Sequence, residues 1–170
     1  MPRDLFSGGW FLLGFWLALF LLGPLAAPWA SAADPELARM EGALHQAVNR
    51  FRSEQHLITL VRDEALDAVA RAHSEDMAAR RFFSHESPEG HNWVDRLERS
   101  GIRGFSMAGE NVGMTSRANP NQEILNGWLT SPAHRENLTA RPFNATGIGI
   151  ARAPDGSLLY TQLYLSFPRE

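Results

Sequence analysis

The sequence predicts an α+β domain in which helices pack on a small antiparallel sheet, and three observations carry that prediction. Four helical segments follow one another from Pro35 onward, marked by apolar residues at steps of three or four or by strong start signals. Near the C-terminus the period changes to two β-type runs around a tight turn. No βαβ unit and no internal repeat recurs along the chain.

Residues 1–32 stand apart from that domain. An apolar core from Trp10 to Leu22 meets a Gly23-Pro24 break, and Ala30-Ser31-Ala32 forms a small-residue cleavage pattern. This reads as a signal peptide, with an uncleaved N-terminal membrane anchor as the alternative, because Asp4 offsets Arg3 and the apolar stretch with its flanks approaches spanning length. Either reading exports residues 33–170 and gives a secreted or periplasmic, cell-envelope location, with membrane attachment only through an uncleaved leader. The chain has 170 residues and no cysteine, so its single domain is held by a core and not by disulfides. That combination points to a bacterial setting. A net charge of −3 supplies no basic field, which argues against a nucleic-acid partner.

The first helix is expected from Pro35 to about His56, with Leu37, Met40, Leu44, Val48 and Phe51 on its apolar face. A second runs from a cap at Asp63 to Arg80 and places His73 on a buried stripe, as a hydrogen-bonded core residue more than a ligand. After the turn-rich loop "RRFFSHESPEGHN", Asn92 caps a short helix from Trp93 to Ser100 that Gly101 ends. An irregular stretch containing "AGENVGM" follows. Asn119-Pro120 opens a helix through Trp128 and Leu129, and Ser131-Pro132 repeats the start signal just before His134. The last segment is a hairpin around Pro154-Asp155-Gly156-Ser157. Trp93, Trp128, Tyr160, Tyr164 and Phe167 read as core.

Three groups invite chemistry. His85, Glu110 and His134 lie beside turn formers, about 25 residues apart, so no local metal motif joins them. Two imidazoles and a carboxylate match the donor set of a zinc site with an open position. They also match a pair in which the carboxylate orients the ring. A satisfied structural role suits each of the three equally well when it is taken singly. "GFSMA" imitates a nucleophile elbow at Ser106, but a helix ends before it and no strand leads in, so Ser106 lacks the required context. Nothing shows that Ser84 or Ser131 is activated. His45, His56 and His91 hold ordinary surface or helix positions.

The ordered motifs "FFSHESPEG", "AGENVGM", "WLTSPAHRENL" and "TGIGIA" with "YTQLYLSF" together resemble a bacterial CAP (SCP-like extracellular) domain. That superfamily includes cysteine-rich secretory proteins, antigen 5 and pathogenesis-related class 1 proteins. The resemblance covers nearly all of residues 33–170. It implies a three-layer α-β-α sandwich with a central antiparallel sheet and a cleft that eukaryotic relatives line with two histidines and two glutamates. His85 and Glu110 match one of each. The other glutamate position is Ser131 and the other histidine position is Leu159, with His134 of "SPAHR" as the substitute. The implied cleft set is His85, Glu110, Asn111, Ser131 and His134, and the implied metal set is His85, Glu110 and His134 with Zn²⁺ or Ca²⁺.

Three functional readings follow. The first is a non-catalytic binding module for a divalent metal, a lipid or sterol, a glycan or an envelope protein. The second is a hydrolase in which His85 and Glu110 act on a water, with or without a metal. The third is a structural envelope protein whose polar cluster ties loops to the sheet.

Overall fold

Asp34 accepts a hydrogen bond from the Glu36 amide and so caps α1 (Pro35–Glu54). The computed structural model describes residues 34–168; the leader read from the sequence lies outside the described residues. A two-residue strand, β1 (Val61–Arg62), leads into Asp63, whose carboxylate accepts from the Ala65 and Leu66 amides and starts α2 (Glu64–Arg80). Asn92 and Asp95 form a reciprocal capping box on α3 (Trp93–Arg99). Then come β2 (Met107–Thr115), α4 (Pro120–Thr130), α5 (Pro132–Thr139), β3 (Ala145–Arg152) and β4 (Leu158–Ser166). The expected restart at Ser131-Pro132 is present. Neither Asn119 nor Ser131 makes a side-chain cap, so proline at the first turn carries both starts.

The sheet order is β1-β3-β4-β2. β4 pairs antiparallel with both neighbours, and β1 pairs parallel with β3 over Val61–Ala145 and Arg62–Thr146. Side chains alternate along each strand and divide the interior in two. Ile148, Ile150, Tyr160 and Tyr164 face α1, α4 and α5 and join Leu44, Val48, Leu125 and Trp128. Leu163, Leu165 and Ala145 face the other way and pack with Leu66, Val69 and Leu97 of α2 and α3. This is the three-layer α-β-α arrangement, with its antiparallel sheet extended by one short parallel strand.

One sequence expectation is corrected. The stretch around "AGENVGM" is not irregular; it is the nine-residue edge strand β2, paired with β4 from Met107–Ser166 to Thr115–Leu158. Its two glycines fit a strand because helices press on it. A Cβ at Gly109 would lie 2.6 Å from Asn137 Oδ1, and one at Gly113 2.7 Å from Ile124 Cδ1.

Unpaired strand edges expose donors and acceptors, and here side chains close them. β1 covers only the start of β3, so the outward amides of Ile148 and Ile150 donate to Asp67 Oδ1 (2.8 Å) and Glu41 Oε1 (3.1 Å). Arg62 and Arg71 pair with Glu41, at 3.0 and 2.7 Å, and neutralise a carboxylate that is fully buried. The opposite edge of the sheet, along β2, carries the candidate site.

Candidate functional site

Glu110 sits in the middle of β2 with its side chain on the α2 face, opposite Leu163. That carboxylate is fully buried, and both oxygens are used: Oε1 accepts from His85 Nδ1 at 2.9 Å and Oε2 accepts from Arg96 Nη2. His85 stands in the loop between α2 and α3, where Arg96 Nη1 also donates to the His85 and His91 carbonyls at 3.0 Å each. One arginine therefore balances the buried charge and fixes the loop that carries the histidine. With Nδ1 donating to Glu110, the His85 ring turns Nε2 away from the carboxylate, and 41% of its side chain is exposed. Trp93 meets the ring edge-on at 5.8 Å between centroids.

His134 enters from the first turn of α5, its ring centroid 6.4 Å from that of His85. Burial, and then the neighbouring His85, push its pKa below the ordinary histidine value. Asn111 follows Glu110 on the strand and so faces the other layer. It is fully buried, donating from Nδ2 to the His134 carbonyl (3.0 Å) and the Tyr164 hydroxyl (3.1 Å) and accepting from Asn137 Nδ2 (2.9 Å). Both of its amide hydrogens are used within the fold; Asn111 positions α5, and with it His134, against β2. Ser131 and His134 line a groove of about 330 Å³ between β2 and α4.

The other residues weighed from the sequence are engaged elsewhere. Exposed Ser106 donates to the Ser166 carbonyl at 3.2 Å, and Ser84 Oγ accepts from the Glu86 amide. Leu159 is buried in a cluster with Met77 and Val112. His73 is the core histidine expected of its stripe, with Nε2 on the Ser84 carbonyl at 2.9 Å.

The model of the CAP family, described as the cysteine-rich secretory protein family, matches residues 45–164. The chain belongs to the CAP family. Among solved CAP structures, an extracellular protein with an SCP domain from Bacillus anthracis str. Ames superposes with a TM-score of 0.64 at 33% identity, over 78% of this chain and 44% of that one. An outer surface protein from Borrelia burgdorferi superposes with a TM-score of 0.69 at 19% identity, over 76% of this chain and 94% of that one, a likeness of fold. Uncharacterized protein YkwD of Bacillus subtilis is 30% identical over 135 residues, 79% of this chain and 50% of YkwD. This chain thus spans half the length of that relative, and 32% of a second, the membrane protein YlbC, at 33% identity over 117 residues.

The metal set read from the CAP resemblance does not fit this arrangement. Among the described residues no three His, Asp or Glu side chains converge to hold an ion. Glu110 spends one oxygen on a guanidinium, which a divalent cation would have to displace against its own repulsion. The positions given to the second glutamate and second histidine hold Ser131 and Leu159, neither of them a metal-type donor here.

Burial depresses the His73 pKa against the opposing pull of Glu110, and its Nδ1 has no protein partner. The folded chain thus binds that proton less readily than the unfolded chain. Stability tied to His73 is complete above the unfolded value near 6.5 and declines as pH falls below it towards the folded value. Melting curves between pH 7.5 and 5 should show a smaller decline in His73→Gln than in the natural chain. Equal slopes would refute the assignment.

Proposed function

We propose that this CAP-family chain is an exported, non-catalytic binding module that holds an envelope ligand in the cleft beside β2. The bonding of His85 carries the reading: Glu110 clamps one ring nitrogen, the partly exposed ring lies 6.4 Å from that of the groove residue His134, and among the described residues its other nitrogen has no hydrogen-bond partner and no hydroxyl is bonded to His85 or His134. A fixed imidazole beside a groove, with no nucleophile attached, recognises a hydroxyl, amide or acid group. The leader pattern of the sequence and the extracellular description of the Bacillus anthracis relative support export. Among the described residues no helix is long and apolar enough to cross a membrane.

The same clamp supports a second reading, in which His85 Nε2 takes a proton from a water and the chain hydrolyses its ligand. Titrating the full chain and His85→Ala with palmitate, N-acetylglucosamine tetramer and zinc, beside peptide and ester hydrolysis assays, separates the two. Expected are saturable binding of an organic probe weakened at least tenfold in His85→Ala, an unchanged melting temperature, no zinc site dependent on His85, and no turnover above buffer. Turnover abolished by His85→Ala would replace binding with hydrolysis. A lowered melting temperature with affinity unchanged would leave only the structural role.

A further inference from the structure

The sheet edge at Met114 has a geometry that neither the cleft histidines nor the fold explains. β2 is the terminal strand, and its outward carbonyls at Glu110 and Val112 are taken by Asn137 Nδ2 (3.0 Å) and Trp128 Nε1 (2.9 Å). Residues two apart on an antiparallel strand turn their backbone groups to the same edge, so the Met114 amide and carbonyl point outward as well. Among the described residues no side-chain bond closes the edge there, and Met114 is 54% exposed.

Two pockets meet at that residue, one on each face of the sheet. On the α2 face, a pocket of about 460 Å³ is lined mostly by apolar side chains, among them Met77, Phe82, Phe83, Met114 and Leu159, with Arg81 and Asp155 also on its wall. On the α4 face, the 330 Å³ groove runs past Gly113, Gly127 and Trp128 to Ser131 and His134, and Met114 lines it too. Successive side chains of an extended strand point to opposite faces. A strand laid beside Met114 therefore sends one side chain into the apolar pocket and the next into the mixed groove. A fatty acyl chain would fill the first pocket but has neither the alternation nor the backbone to use the edge. A glycan likewise has no strand backbone to pair with the Met114 amide and carbonyl.

We propose that the open edge of β2 at Met114 receives an extended peptide by strand addition. A bulky apolar side chain enters the pocket of Phe82, Phe83 and Leu159, and a smaller polar one lies beside Gly127 and His134. This names the partner class for the binding reading above and rests on it. Main-chain pairing supplies affinity, and the two pockets supply selectivity.

The probe is acetyl-Lys-Leu-Thr-Leu-Thr-Lys-amide, titrated calorimetrically into the full chain, with two analogues N-methylated either at both leucines or at both threonines. Pairing through one edge predicts that one analogue loses binding while the other stays within threefold of the parent. Phe83→Ala and Gly127→Trp should each weaken the parent peptide at least tenfold. Both sites tolerate change, since Phe83 is 50% exposed and a Cβ at Gly127 meets nothing within 4 Å. Equal binding of both analogues and the parent would overturn strand addition, as would no binding at about 1 mM, an affinity floor near −4 kcal/mol. In either case, His85-dependent binding of palmitate or the N-acetylglucosamine tetramer would leave the broader binding reading standing.

Discussion

Arg52→Met is expected to destabilise the domain by about 3 kcal/mol or more, a fall in melting temperature on the order of 10 °C. Arg52 is fully buried near the end of α1 and donates only to carbonyls: Nε to Ile58 (2.9 Å), Nη1 to Leu138 (2.8 Å) and Ala140 (3.2 Å), and Nη2 to Phe143 (3.3 Å). The last carbonyls of a helix have no partner within it, and α5 gives Leu138 and Ala140 to this guanidinium. Burial pulls the Arg52 pKa down, but an arginine stays charged in a folded protein, so the carbonyl dipoles hold the charge in place of a carboxylate. Methionine fills much of the volume and none of the bonds. Arg52→Lys keeps the charge and fewer donors and should fall between the two. A loss below about 1 kcal/mol in thermal melts of Arg52→Met would show that water reaches these carbonyls and that the guanidinium is not what satisfies them.

Arg52 also shows where the sequence was readable and where it was not. The buried stripe of α1 is Glu41, Leu44, Val48 and Arg52, at steps of three and four. A reading keyed to apolar residues saw the helix and passed over the two charges on its inward face. Those charges were the signal that something buried needed a carboxylate and a guanidinium. Arg96 is a second case: it stands on α3 three residues after Trp93 and one before the buried Leu97, and nothing in its local sequence marks the partner it finds in Glu110. Helices and the hairpin were legible because Asn92, Pro120, Pro132 and Gly156 punctuate them locally. β2 was not, because its glycines and polar residues lack strand propensity and only the helices packed above it explain them. Of the expected site, His85 and Glu110 meet and His134 joins them. Asn111 turns out to hold α5, a role that no local pattern encodes.

The same small substitution should act in opposite directions at two other glycines. In β3, Gly149 faces α2 so closely that a Cβ would lie 2.0 Å from the Arg71 nitrogen and 2.2 Å from its Cα. These are backbone atoms that no rotamer change can move aside. α2 cannot lift locally, because Asp67 holds the Ile148 amide and Ser74 Oγ donates to the Gly149 carbonyl while accepting from Thr161 Oγ1, each at 2.9 Å or less. Gly149→Ala must therefore push the helix off the sheet and break those bonds, and it is expected to cost about 3 kcal/mol, the upper end of overpacking. In α4, Gly127→Ala meets open space and replaces the more flexible residue in a helix, so a gain of about 0.5–1 kcal/mol is expected. Urea unfolding of the two variants measures both signs. A near-neutral Gly149→Ala would mean that α2 rides on the sheet without being held to it. His73 and the pocket wall at Met77 would then move with the helix, and the geometry around Met114 would be a property of one position of α2 among several.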